Sequence, residues 1–227
     1  MIRIKGVHKA YRSGDTSVHA LRGVDLEVAF GEFTAIAGPS GSGKSTLLNI
    51  IGCLDTPDSG TVHIGEAELT GAGRRDRAEF RRRSLGFVFQ SFNLIPVLTA
   101  YENVAFVLNL LGLEERECRQ RTMAILAEVG LEGMEDRRPT RLSGGQQQRV
   151  AIARALIKEP TIVLADEPTA NLDSSTGEAI LDLMRSLNRR RGTTFIFSTH
   201  DRLVMEYASR LVSLRDGAVL DDERRRG

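Results

Sequence analysis

Cysteine is nearly missing from this chain. Cys53 and Cys118 are the only two in 227 residues. They show no ligand-like or redox spacing and no partner histidines, which excludes a disulfide scaffold and a structural zinc and leaves two buried or half-buried free thiols in a reducing compartment. Lysine is also scarce, occurring only at Lys5, Lys9, Lys44 and Lys158, so arginine supplies most of the basic charge. That charge is balanced: 31 basic residues against 30 acidic ones leave +1, and a field this weak gives no reason to expect nucleic acid as a partner. Long hydrophobic runs are absent. The most apolar stretch, Val104 to Leu113, is broken by Asn109 and has about half the length needed to cross a bilayer. The start, Met1-Ile2-Arg3-Ile4-Lys5, lacks the apolar segment of a signal peptide. Direct membrane insertion is therefore not expected, and any membrane role has to come through a partner. With 41 % apolar residues and no internal repeat or long linker, the chain can bury a full core as one domain.

The residues that are present alternate between two kinds of pattern. Ile2-Arg3-Ile4-Lys5-Gly6-Val7 and Val24-Asp25-Leu26-Glu27-Val28 alternate with period two and predict an antiparallel layer near the N-terminus. Phe33 to Ala37 is a short apolar run entering a glycine-rich loop, followed by a helix through Leu47, Leu48, Ile50 and Ile51. Thr56 to Gly60 is turn chemistry, with strands predicted at Thr61–Ile64 and Leu85–Phe89. From about Ser91 helical periodicity takes over, through Tyr101–Leu111, Glu115–Val129 and Gln146–Ile157. Strand character returns at Ile162–Ala165 and Thr193–Ser198, around a helix over Ser174–Arg191. Continuous apolar strands alternating with helices predict a mostly parallel α/β sheet covered on both faces. The expected division is an α/β core of residues 1–90 and 158–227 and an inserted α-helical subdomain of residues 91–157. The arginines at 74, 75, 77, 81, 82 and 83 are interspersed with Asp76 and Glu79 at helical spacing. They read as a solvated, ion-paired helix, with contact to anionic lipid as the alternative. Arg224 to Arg226 reads as a frayed tail.

Three segments carry chemistry. Gly38-Pro39-Ser40-Gly41-Ser42-Gly43-Lys44-Ser45-Thr46 contains Gly, four residues, then Gly-Lys-Ser, between an apolar strand and a helix. Its glycines let backbone amides turn inward around an anion, Lys44 brings a cation to the outer phosphates, and the Ser45 hydroxyl can ligate magnesium. The helix that follows adds its positive end. Ile162 to Glu167 ends a buried strand in two acids whose side chains diverge by strand alternation. Asp166 is the metal-side candidate, and Glu167 the candidate base that orients the attacking water. Ser143-Gly144-Gly145-Gln146 is a helix start with Ser143 as N-cap and Gln146 completing a capping box. Two glycines in a first helical turn cost on the order of 1 kcal/mol each relative to alanine. They also let another group, favourably an anion, come close to the amides.

In this order, with Leu142 before Ser143, these motifs resemble the ATP-binding subunit of an ABC transporter over nearly the whole chain. The resemblance implies a P-loop NTPase core binding ATP and Mg²⁺. It implies that Gln90 links core and helical subdomain and senses magnesium and the γ-phosphate, and that Asn171-Leu172-Asp173 crosses to a partner subunit. His200 would contact the γ-phosphate, and Tyr11 would stack on adenine, although an aromatic in an N-terminal strand also suits simple packing. Gly52-Cys53-Leu54-Asp55, the segment Phe87 to Leu94 and Ala165 to Asp173 are most similar to the lipoprotein-release and macrolide-export branch, in which a glycine is common where Ala170 stands. The family reading has two copies of the chain sandwiching two ATP molecules head to tail. Ser143, Gly144 and Gly145 of one copy would face Lys44, Ser45, Gln90, Asp166, Glu167 and His200 of the other. It also implies integral membrane permease subunits as partners, hence a cytoplasmic protein held on the inner face of the membrane through them. A non-transporting membrane-associated ATPase of the cell-division type, or a soluble assembly ATPase, is the alternative. DNA-repair and chromosome-organising ATPases separate the two motifs by long heptad arms or zinc modules, which this chain lacks.

Overall fold

The alternation at the N-terminus folds as expected but extends further than it reads. The computed structural model describes residues 1–13 and 16–225. Strands β1 (Ile2–Ser13) and β2 (Thr16–Val28) pair antiparallel with Ile2 opposite Val28. Strand β4 (Ser59–Ile64) flanks β1, and the two-residue β5 (Ala67–Glu68) closes the edge, giving the order β2-β1-β4-β5. The inward residues Ile2, Ile4, Val7, Leu21, Val24, Leu26 and Val28 are buried, so one face of this sheet is core and the other is wet.

The second sheet runs β10-β9-β3-β8-β7-β6. Strands β3 (Phe33–Ala37), β6 (Leu85–Phe89), β7 (Ile162–Asp166), β8 (Thr194–Thr199) and β9 (Arg210–Arg215) are parallel, and only the edge strand β10 (Ala218–Arg224) is antiparallel. Each central strand feeds two cores in turn. Val163, Ala165, Phe195 and Phe197 pack with the helices α3 (Ala100–Leu110), α4 (Glu115–Glu128), α5 (Gly144–Leu156) and α6 (Ser174–Arg191). Ile162, Leu164 and Ile196 pack with α1 (Lys44–Ile51) and the antiparallel sheet. This two-sided burial is why these strands read as unbroken apolar runs. Helix α6 ends where arginines 189–191 meet a left-handed Gly192 (φ 66°), a favourable charge at a helix C-terminus followed by a glycine stop.

Helix α2 (Arg74–Ser84) has no buried residue, and Glu79 pairs with both Arg82 and Arg83, as the charge pattern predicts. Its end is nonetheless tied down. The Lys158 ammonium donates to the carbonyls of Arg81 and Arg82, each at 2.8 Å, and burial lowers the Lys158 pKa to about 8. Cys53 and Cys118 are free and buried, and burial pushes the Cys53 thiol up to about 11.

The C-terminal segment corrects one expectation. Arg224 does not fray: it ends β10, opposite Arg210. Arg225 donates from its backbone to Ser209 O and from its guanidinium to Met205 O; Arg226 lies outside the described residues. The strand is held at its base by Arg210, buried in β9, whose guanidinium donates two hydrogen bonds to Asp222 (2.6 and 2.7 Å) and one to Glu32 (2.8 Å). The other addition is the short helix α7 (Arg202–Tyr207), capped by Asp201.

Helix α5 lies against β6 at Gly86, where a Cβ would come within 2.7 Å of Ala155 O. Gly86→Ala is expected to prise the helix from the sheet and cost about 1–3 kcal/mol, the range for overpacking a tight core. Urea unfolding measures this, and wild-type stability would show that the contact relaxes freely.

Candidate functional site

The phosphate-type loop is shaped by two close backbone approaches. A Cβ at Gly38 would stand 2.1 Å from Leu214 O, and one at Gly43, where φ is 102°, would stand 2.4 Å from Ala20 O. Only glycine fits either place. No side chain caps α1 at Gly43, so the first amides of that helix point into the loop as donors for an anion. Lys44 is 7 % exposed and lays its ammonium across the carbonyls of Gly38 (2.7 Å) and Pro39 (2.9 Å). Behind the loop, the turn between β9 and β10 acts as a brace. The Gly217 N–H donates to Ser42 O at 3.0 Å, and Gly217 O accepts from Arg22 N–H at 2.8 Å. This buttress comes from the hairpin that periodicity did not reveal.

The two acids have different partners, but the turn at Glu167, beyond the end of β7 at Asp166, separates them rather than strand alternation. The Ser45 hydroxyl stands 3.3 Å from Asp166 Oδ1, a pair of oxygen donors suited to a hard cation. Glu167, with a left-handed φ of 46°, turns the other way. Its carboxylate accepts from Thr199 Oγ1 (3.1 Å) and His200 N–H (3.1 Å) and lies 2.6 Å from His200 Nδ1. His200 is 69 % exposed at the rim, whereas Glu167 is 14 % exposed.

These groups share one cleft of about 560 Å³, lined by Tyr11, Pro39, Ser40, Gly41, Gly43, Lys44, Ser45, Thr46, Gln90, Glu167 and His200, and also by Val18, His19 and Ala20 of β2. The last three were not anticipated. Nothing in their composition marks them; they line the cleft because the loop packs on Ala20. Gly38 and Ser42 sit in the loop wall, the Ser42 hydroxyl buried without a partner, and Asp166 is reached through Ser45. The Tyr11 ring is not part of the core: it is 41 % exposed, and its hydroxyl donates to Asp55 Oδ2 at 2.7 Å. Burial and that carboxylate raise the phenol's pKa. Gln90 follows β6 directly, and its carbonyl accepts from Asn171 Nδ2 at 2.9 Å.

The Ser143–Gln146 segment stands apart from this cleft. It forms the expected capping box, Gln146 N–H to Ser143 Oγ (3.3 Å) and Ser143 N–H to Gln146 Oε1 (3.0 Å). None of its four residues lines the cleft of its own chain. The glycines serve intrachain packing too, since a Cβ at Gly145 would come within 2.5 Å of Thr176 Cγ2 and one at Gly144 within 3.3 Å of Leu172 Cδ2. Asp173 caps α6, accepting from Thr176 N–H, Ser175 Oγ and Thr176 Oγ1, which holds its carboxyl well below the usual range.

A glycine loop with its lysine, a strand-end acid facing the loop serine, and a second acid beside a histidine define a nucleoside triphosphatase of the P-loop class. Comparison narrows the class. A family profile described as ABC transporter matches residues 21–170, and the chain belongs to that family as an ATP-binding, ATP-hydrolysing cassette. It is 47 % identical to the ABC transporter ATP-binding protein MJ0796 of Methanocaldococcus jannaschii, covering 100 % of this chain and 98 % of that protein. It is also 47 % identical to the macrolide export ATP-binding/permease protein MacB of Brucella melitensis, of which it covers only 35 %. These relatives agree with the branch read from the motifs. Among solved structures it superposes with a TM-score of 0.92, at 46 % identity and full coverage of both chains, on the dimeric post-hydrolysis state of MJ0796 bound to ADP and Pi. It superposes with a TM-score of 0.88, at 32 % identity, on cbiO1 of Clostridium perfringens, covering 98 % of this chain and 88 % of that one.

The brace behind the loop can be tested. At Gly217 φ is 81° and a Cβ would meet Ala20 O at 2.8 Å. Gly217→Ala is expected to displace the loop and weaken ATP binding by about tenfold, equivalent to about 1.4 kcal/mol. Titration with a fluorescent ATP analogue reads this, and unchanged affinity would free the loop from dependence on the hairpin.

Proposed function

We propose that two copies of this chain close head to tail over two ATP molecules and that the closed dimer, opened again by hydrolysis, moves membrane permease subunits. The carrying observation is the separation just described: the amide-presenting start of α5 lies outside its own chain's cleft, so it is available to the nucleotide of a second copy. That MJ0796 is dimeric in its solved structures, one of them holding ADP and Pi, supports a dimer of this chain.

Within each site the loop amides and Lys44 hold the β- and γ-phosphates, and the exposed Tyr11 ring stacks on the base. Ser45 and Asp166, with Gln90 at the cleft edge, are the residues that would hold Mg²⁺. Oxygen donors of this kind suit magnesium, which is usually bound through one or two carboxylates and completes its shell with phosphate and water. The ion supplies charge neutralisation on the phosphate oxygens. Glu167 orients the attacking water and accepts its proton, and His200 steadies the Glu167 carboxylate from Nδ1 while its exposed ring faces the γ-phosphate. Charge-assisted contacts to that phosphate, about 1.5–3 kcal/mol each, favour closure only while it remains attached.

The permease surface is the loop that follows β6 from Gln90 to Thr99, together with the start and adjoining face of α3, where Ile95, Val97, Phe106 and Leu110 are exposed. Among the described residues no helix is long and apolar enough to cross a membrane, so contact with permease subunits would place the protein peripherally at the membrane's inner face. The similarity to MacB favours export or extraction from the membrane as the transport direction.

Glu167→Gln is expected to lower turnover by about 100-fold or more, the usual contribution of a general base, and to accumulate an ATP-bound dimer on size exclusion. Unchanged ATPase activity would remove Glu167 from this role. Ser143→Arg is expected to abolish turnover while leaving the nucleotide affinity of dilute monomer within about twofold. An equal loss of monomer affinity would show that Ser143 serves its own chain's site.

A further inference from the structure

Gln148 lies one turn into α5 and is completely buried. Its Nε2 donates to Pro168 O at 2.6 Å, but its Oε1 is buried with no donor. An unsatisfied buried acceptor costs about 1–3 kcal/mol, and a methionine would fill the same space without it. What the glutamine adds is therefore the bond to Pro168. Proline has no N–H, so this carbonyl is the one polar backbone group the residue offers.

Pro168 follows Glu167, whose left-handed backbone (φ 46°) persists only where its surroundings impose it. Besides the two contacts of Glu167 with His200, three further restraints reach this turn from the β8 end. Glu167 N–H donates to Ser198 O, Thr199 Oγ1 donates to the Glu167 carboxylate, and Thr169 Oγ1 donates to Asp201 Oδ2 at 2.8 Å. Gln148 reaches it from a different element, α5, the helix whose start presents Ser143, Gly144 and Gly145. The helical rise of 1.5 Å per residue puts Gln148 only about 6 Å along the axis from Gly144.

From this we infer that Gln148 is a positioning residue for hydrolysis, which sets the Glu167 carboxylate through the Pro168 carbonyl and makes its placement depend on the seating of α5. The inference rests on the reading of Glu167 as base and of the α5 start as a contact to the partner's nucleotide. In that dimer, α5 docking on one nucleotide steadies the base acting on the other.

Two variants of the full chain test it. Gln148→Met removes the donor and also the orphan acceptor. It exchanges one unpaired buried acceptor, Gln148 Oε1, for another, Pro168 O, and is expected to lower kcat about tenfold at every pH, with KM for ATP within twofold and a thermal midpoint close to wild type. Gln148→Glu keeps the shape and titrates the contact. A neutral carboxyl donates to Pro168 O, an ionised one repels it, and burial raises the pKa of the introduced group. Its kcat relative to wild type is expected to be near unity at the acid end of the activity range and to fall about tenfold as pH rises. Wild-type kcat in both variants, a flat pH ratio for Gln148→Glu, or a loss in Gln148→Met that tracks a lowered midpoint would each overturn the inference. Glu167→Gln run alongside separates the two layers. If that variant still turns over, the reading of the base fails; if it is inactive while both Gln148 variants match wild type, only the role of Gln148 fails.

Discussion

Backbone packed on backbone, with no side chain between, is the constraint on which the nucleotide cleft depends. The carbonyls of Leu214 and Ala20 occupy the places where side chains at positions 38 and 43 would begin, so the loop is pressed between β9 and β2. Pressed there, its remaining amides and the uncapped start of α1 can only face the cleft. Lys44 completes the wall from inside, its ammonium desolvated except for two loop carbonyls and whatever anion enters. The loop is thus shaped by two strands and a hairpin turn distant in sequence. A glycine-rich stretch by itself would be a flexible turn, because glycine loses more backbone freedom on ordering than any other residue.

What was legible in the sequence is what local chemistry dictates. The strand, loop and helix through 33–51, the acids closing β7, and the capping box at 143–146 each need particular residue types at short spacing, and all stand where those types put them. The central strands read correctly because burial on both faces writes itself as an unbroken apolar run. The β9–β10 hairpin did not read. Strand β10 carries Asp221, Asp222, Glu223 and Arg224 on an exposed edge, with no alternation to show, and exists because β9 pairs with it and buried Arg210 grips Asp222. Val18, His19 and Ala20 were missed for the same reason: their part in the cleft is a long-range contact.

The glycines of the α5 start show how one residue can satisfy two demands. Gly145 is required inside the chain, where Thr176 takes the space of its side chain, and bare amides at a helix N-terminus also suit an anion from outside. The intrachain demand alone accounts for Gly145, so glycine there is weaker support for a partner site than its composition implies. The stronger support is positional, since this helix end lies off its own cleft and is capped by an exposed serine.

Glu167 is where the local rules are broken most. A non-glycine residue with a left-handed backbone is unfavourable by conformation, and Glu167 keeps φ at 46°. It is held by two bodies that do not belong to the same layer, the β8 end through Ser198, Thr199 and His200, and α5 through Pro168. Were all its restraints on the β8 side, the carboxylate would sit equally well whether or not α5 was engaged. Restraint by both makes its position a joint property of the β8 end of the sheet and of α5. For the base proposed above, such double restraint is what would let it act only when sheet and α5 are both in place.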